Sequence, residues 1–198
     1  MAVDRRDLRR RLFNLAAEQG GYFTAAQAKG VGYSYQAQAH HVSAGNWIRV
    51  DRGLFRLAEW IPDLHDDLAR WTLWSKGRGV VSHETGLSVH AIGELESARV
   101  HLTVPPGFTM RDEAVTLHHA ELAGADVTER NGFRVTTPIR SIIDVAAVSP
   151  DEDQLARVID DARQRGLLTL RNLRARAEAI DAKAALHIER AIQRAEAP

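Results

Sequence analysis

Trp47-Ile48-Arg49-Val50-Asp51-Arg52-Gly53-Leu54-Phe55-Arg56-Leu57 is the stretch on which the reading of this chain turns. Two short β-rich runs flank Asp51-Arg52-Gly53, and a glycine in such a link marks a β-hairpin. The hairpin carries Arg49, Arg52 and Arg56. Upstream, residues 4–19 place Leu8, Leu12, Leu15 and Ala16 at i, i+4, i+7 and i+8, the apolar stripe of a first helix. Gly20-Gly21 stops that helix, and Tyr22-Phe23 is a short extended piece. Thr24 and Gln27 form a capping box that opens a second helix over Ala25–Lys29, broken by Gly30 and Gly32. Ser34 caps a third helix, residues 35–44, which ends at Gly45. Three helices followed by a basic hairpin is the order of a winged helix-turn-helix.

Helical spacing assigns roles within the third helix. Tyr35, Ala39 and Val42 lie at i, i+4 and i+7 and are expected to pack on the first two helices. Tyr33, Gln36, Ala37, His40 and His41 are expected to point away, with Ser34 at the margin. That face is polar and free of acids, which suits the major groove: Gln pairs with adenine, Ser with several bases, and Ala or Tyr packs on a thymine methyl. Arg49, Arg52 and Arg56 are then expected on phosphates, giving affinity and register. The Arg5–Arg11 stretch reads equally as a phosphate-facing surface or as a solvated helix face. His40 and His41 read as surface or DNA-contacting residues rather than metal ligands, and a winged helix serving only protein contacts stays open.

The overall charge is zero, yet its distribution is uneven. Residues 1–60 hold nine Lys/Arg and five Asp/Glu, a net of +4; the remaining 17 bases and 21 acids give −4. Such asymmetry fits a basic binding module joined to something else. With 44% apolar residues the chain can bury a core, and the absence of cysteine excludes disulfides, thiolate metal sites and a cysteine nucleophile. The charged opening Met1–Phe13 has no secretory h-region, and no apolar run approaches a membrane span, so a soluble cytoplasmic protein is expected.

Beyond residue 60 the pattern changes. A helix from about Asp63 carries Leu64, Leu68, Trp71 and Trp74 and is expected to pack between domains or into the second core. Val80-Val81 is a short buried strand, Ser82 reads as the cap of a helix over His83–His90, and Arg99–Val104 and Ala114–His119 read as strands. Val127–Arg130 and Phe133–Thr136 flank Asn131-Gly132, a strong hairpin signal. Thr137-Pro138 and Ser149-Pro150 each read as a helix start, the second helix ending at Gly166; a basic helix from Thr169 and an amphipathic one over Ala182–Ala195 complete the chain. The expected fold class is α/β (α+β): a winged helix-turn-helix over residues 1–60, then an α/β domain over 61–198 with a small mixed sheet flanked by helices.

The second domain lacks the phosphate-loop, dinucleotide, nucleophile-elbow and zincin motifs, and no catalytic residue, metal site or cofactor is assigned. Ser82-His83-Glu84 and His118-His119 are its densest constellations. Neighbouring strand histidines point to opposite faces, so His118 and His119 cannot share a metal without a bulge. Glu84 at a helix start is explained by the helix dipole, and Asp144 by a buried pair with Arg140 one turn earlier. An enzymatic alternative, nuclease-like or protein-modifying, needs Glu84, His118 or Asp144 brought together in a cleft. A ligand-responsive transcription factor needs a large apolar pocket.

Four passages carry a family resemblance: Gly45-Asn46 with the hairpin above (GNWIRVDRGLFRL), VVSHETGLSVHAIG from Val80, HLTVPPG from His101 and NGFRVTTPIRSIIDVA from Asn131. Together they resemble the AbiEi family of bacterial antitoxins over about residues 5–170, in the family's order. The resemblance implies a two-domain antitoxin of a type IV abortive-infection system. Its winged helix would bind inverted repeats in its own promoter and repress the operon, and its second domain would neutralise a nucleotidyltransferase-like toxin, directly or indirectly. It places Ser34, Gln36, Ala37 and His40 on the recognition helix and Arg49, Arg52 and Arg56 on the wing. No residue transfers to the toxin-neutralising surface; Arg171, Arg174 and Arg176 are a candidate for it from charge alone.

Overall fold

The computed structural model describes residues 4–93, 97–148 and 151–196. The chain divides into two compact units, Met1–Gly79 with Glu129–Phe133, and Val80–Thr128 with Arg134–Pro198. The mixed α/β class expected from the sequence is the class observed.

The first unit opens with α1 (Arg5–Ala17), capped by Asp4, whose carboxylate accepts the Arg6 N–H at 2.9 Å. β1 (Tyr22–Thr24) leads into α2 (Ala25–Val31) through the expected capping box, in which Thr24 and Gln27 accept each other's backbone N–H. Then come α3 (Tyr35–Ser43), β2 (Trp47–Asp51) and β3 (Leu54–Leu57). The strands form an antiparallel sheet in the order β1-β3-β2, with a register shift between Arg49 and Asp51. Gly53, at φ 72, supplies the left-handed turn residue that lets the hairpin close. Leu12, Ala16, Phe23, Trp47, Phe55 and Leu57 pack as the core of this unit.

α4 (Asp66–Trp74) was expected between the domains or in the second core; it packs instead on β1 and β3 within the first unit, which therefore runs on to Gly79. Asp66 anchors its start, accepting the Trp60 indole N–H and the Asp63 N–H at 2.8 Å each.

The second unit contains β4 (Val80–Val81), α5 (His83–Val89), β5 (Val100–Val104) and β6 (Val115–His119). It continues through β7 (Val127–Arg130), β8 (Phe133–Thr136), α6 (Pro138–Val148), α7 (Glu152–Gln164), α8 (Leu170–Ile180) and α9 (Ala182–Glu196), the tip of the β7–β8 hairpin falling in the first unit. Strand order is β6-β5-β4-β8-β7, with β5/β6 and β4/β8 parallel and β4/β5 antiparallel, a mixed sheet. A helical core of Leu87, Ile142, Ile143, Leu155, Leu173 and Ile188 supports it. α5 lies close against α6: a Cβ on Gly86 would come within 2.6 Å of Ser141 Oγ.

The start expected at Ser149-Pro150 lies outside the described residues; α7 is capped by Asp151, which accepts the Gln154 N–H at 3.0 Å. Among the described residues no helix is long and apolar enough to cross a membrane.

Candidate nucleic-acid interface

The third helix is positioned as expected but rotated about its axis. Ser34 caps it, accepting the Ala37 N–H at 3.2 Å. Gln38, polar and therefore absent from the apolar stripe read in the sequence, is buried (3% exposed). Its amide donates to the Ala25 and Tyr33 carbonyls at 3.0 and 3.1 Å, so burial leaves it with partners. The inward face consequently runs through Gln38, His41 and Val42.

Four expectations are thereby corrected, three on α3 and one, Tyr33, just ahead of its cap. Tyr33, expected to point away, is in the core (7% exposed) against Trp47 and His41, and burial pushes its phenol pKa up. His41 is half-buried and stacked on Trp47; burial, and then His40, lower its pKa. Tyr35, expected inward, is 61% exposed, and Ala39 is exposed too. The outward face therefore comprises Ser34, Tyr35, Gln36, Ala39, His40 and Ser43, with Ala37 partly covered. It contains no acid, and Lys29 of α2 lies over the Tyr35 ring at 5.1 Å.

The hairpin arginines separate. Arg52, at the turn, and Arg49 are exposed, and Arg49 lies 5.5 Å from the Phe55 ring. Arg56 sits on the other face of the sheet, paired in register with Tyr22 and Ile48; its guanidinium lies 6.0 Å from the Tyr22 ring and its Nε is buried without a hydrogen-bond partner. In α1, Arg9 pairs with Glu59 at 2.5 Å, and Arg10 and Arg11 pair with Asp7 at 2.8 and 3.2 Å. A groove of 660 Å³, lined by Arg5, Arg9, Ser34, Ala37, His40 and Asn46 among others, separates α1 from α3.

In the second unit Asp144 accepts from Arg140 Nε at 2.7 Å, the pair expected from their spacing. Asp126 accepts from Arg140 Nη1 at 3.3 Å and pairs with the part-exposed Arg176, so two carboxylates and two guanidiniums share one network whose Asp126, Arg140 and Asp144 are buried. Burial pushes the Asp144 carboxyl up to about 6 against the pull of Arg140. Arg174 meets Glu189 in a bidentate pair at 2.7 and 3.1 Å, while Arg171 is exposed.

Glu84 and His118 do come together, through His101, which no short-range motif marks. His101 on β5 lies diagonally across the parallel register from His118 on β6, on the same face. His118 Nε2 is 3.2 Å from His101 Nδ1, which is 2.8 Å from Glu84 Oε2. His83 stacks on His118 with ring centroids 3.4 Å apart. Ser82, expected as a helix cap, makes no such bond; its Oγ contacts His83 Nδ1 at 2.9 Å and accepts from Thr103 at 2.8 Å. Burial, then the neighbouring His118, push the His83 pKa down to about 3; burial, then His101, push His118 down to about 4. His119 is exposed on the opposite side of the strand. The missing signal was register: His101 and His118 are 17 residues apart, and only the pairing of β5 with β6 makes them neighbours.

Residues 10–58 match the family model described as transcriptional regulator, AbiEi antitoxin, so the resemblance read from the sequence holds over the winged helix. No curated protein matches the chain. Among solved structures, the RV2827C protein from Mycobacterium tuberculosis is similar: TM-score 0.62 at 13% identity, covering 92% of this chain and 76% of that one. At that identity the similarity is one of fold.

Proposed function

We propose that this chain is an antitoxin that represses its own operon, binding inverted repeats in the promoter through α3 and the wing. The observation that carries the reading is the acid-free outward face of α3, in one compact unit with a hairpin whose turn and outer strand present Arg52 and Arg49. Gln36, Ser34 and His40 read base edges, and Arg49 and Arg52 hold phosphates. The family match over this same segment supports the regulatory role. The second unit neutralises a nucleotidyltransferase-like toxin, with Arg171 the exposed member of the basic helix expected to face it.

An electrophoretic mobility shift with the chain's own promoter tests the DNA half. The expected result is a retarded species whose affinity falls steeply with salt, as counterion release requires. No retardation at low salt overturns it. Co-expression with the product of the adjacent gene tests the antitoxin half: growth must be rescued by the full chain.

A further inference from the structure

The histidine cluster of the second unit lies apart from the residues proposed to bind DNA, and it gathers three ring nitrogens beside a carboxylate. His83, His101 and His118 each offer one ring nitrogen, and the three lie within 4.8 Å of one another. The pair His118 Nε2 and His101 Nδ1, at 3.2 Å, already has the separation of about 3.3 Å that two nitrogens take on a tetrahedral zinc. Glu84 Oε2, shut away from solvent, lies 2.8 Å from His101 Nδ1, which sets a carboxylate beside the same ring nitrogens. A buried carboxylate needs a positive or donating partner, and a cation at this point would serve it together with the imidazole lone pairs.

The supports are those of a built site. His83 is 4% exposed and holds a left-handed backbone, φ 53, a conformation non-glycine residues adopt only where surroundings enforce it. The Thr103–Ser82 hydroxyl pair contacts its Nδ1, the kind of outer partner that orients metal-bound imidazoles. The His101 backbone N–H donates to Thr85 Oγ1 at 2.9 Å, tying β5 to the helix that carries His83 and Glu84. Nitrogen and carboxylate donors, without thiolate, suit zinc rather than calcium or magnesium, which take oxygen cages.

We propose that His83, His101 and His118, with Glu84 as the fourth donor, bind a structural zinc ion that clamps α5 onto β5 and β6. The test uses the full chain, tag-free, stripped with chelator and titrated with Zn²⁺ by calorimetry, with thermal unfolding in parallel. A single zinc per chain and a raised unfolding midpoint are expected. Glu84→Gln is expected to weaken binding about tenfold or more, and His118→Ala to abolish it, each with the far-ultraviolet spectrum of the stripped wild type. A His40→Ala/His41→Ala chain must keep its zinc. Absence of zinc binding overturns the proposal, as does binding that disappears with His40 and His41 or survives His118→Ala. Should His118→Ala not fold, Co²⁺ substitution of the wild type decides: intense visible absorption from a four-coordinate ion supports the site, and the pale spectrum of an octahedral ion overturns it.

Discussion

His41 lies flat on Trp47, with ring centroids 4.8 Å apart and planes inclined by only 12°. This stack fixes α3 against the root of the wing, since Trp47 is the first residue of β2 and is itself in edge contact with Phe23 and Tyr33. Adjacent histidines thereby take different duties: His41 holds the helix, and His40 faces outward.

His41→Ala should therefore cost stability and His40→Ala should not. An aromatic pair contributes about 0.5–1.5 kcal/mol beyond its buried area. Urea unfolding should show a loss of about that size for His41→Ala and none beyond error for His40→Ala. Equal losses would mean the rotation of α3 is wrong.

DNA titrations should separate wing from helix. Arg52→Ala should weaken binding to specific and random duplexes alike and reduce the salt slope by about 1, the mark of one phosphate contact. Gln36→Ala should leave the slope unchanged and relax sequence preference by about 1–3 kcal/mol at one position. Arg56→Ala should leave DNA affinity nearly intact, because that side chain lies on the opposite face of the sheet beside Tyr22.

The winged helix was legible because its signals are local: a capping box within four residues, a glycine in the turn, an apolar stripe along one helix. The rotation of α3 was not, because the sequence shows Gln38 as polar while only the fold brings the Ala25 and Tyr33 carbonyls to its amide. The same division holds in the second unit. Arg140 and Asp144 are one helical turn apart and could be paired by counting. Asp126 and Arg176 join them from distant segments, and the histidine cluster depends on a parallel strand register. What the chain brings together over long sequence separations is written in its packing, not in its spacing.

The buried charge network makes a severe prediction. Removing Arg140 leaves Asp126 with Arg176 alone and Asp144 without its guanidinium, in surroundings that exclude water. Breaking such a network by deleting one partner costs about 3–5 kcal/mol. Arg140→Ala should lose that much in urea unfolding or fail to accumulate folded, whereas Arg163→Ala, which removes an exposed pair with Asp160, should lose less than about 1 kcal/mol.

Acid should loosen the chelator-stripped protein, and the sign follows from four groups. His83 and His118 fall from 6.5 in the unfolded chain to about 3 and about 4 in the folded one. Their stabilisation is complete above pH 6.5 and drains as pH falls, because the unfolded chain takes up the protons first. Asp144 works the other way: raised from 3.8 to about 6, it favours the folded state at low pH and loses that contribution as pH rises through 6. Glu84, held below its usual 4.5 because the His101 and backbone contacts outweigh its burial, adds to acid lability only at the low end. Between pH 6 and 4 two histidines therefore oppose one aspartate, leaving a net uptake of about one proton on unfolding. Thermal midpoints should fall steadily across that window. His118→Gln should flatten the dependence, since one histidine then balances Asp144. Asp144→Asn should steepen it, since nothing offsets the pair. A wild-type midpoint that rises on acidification would mean that the histidines are not buried together.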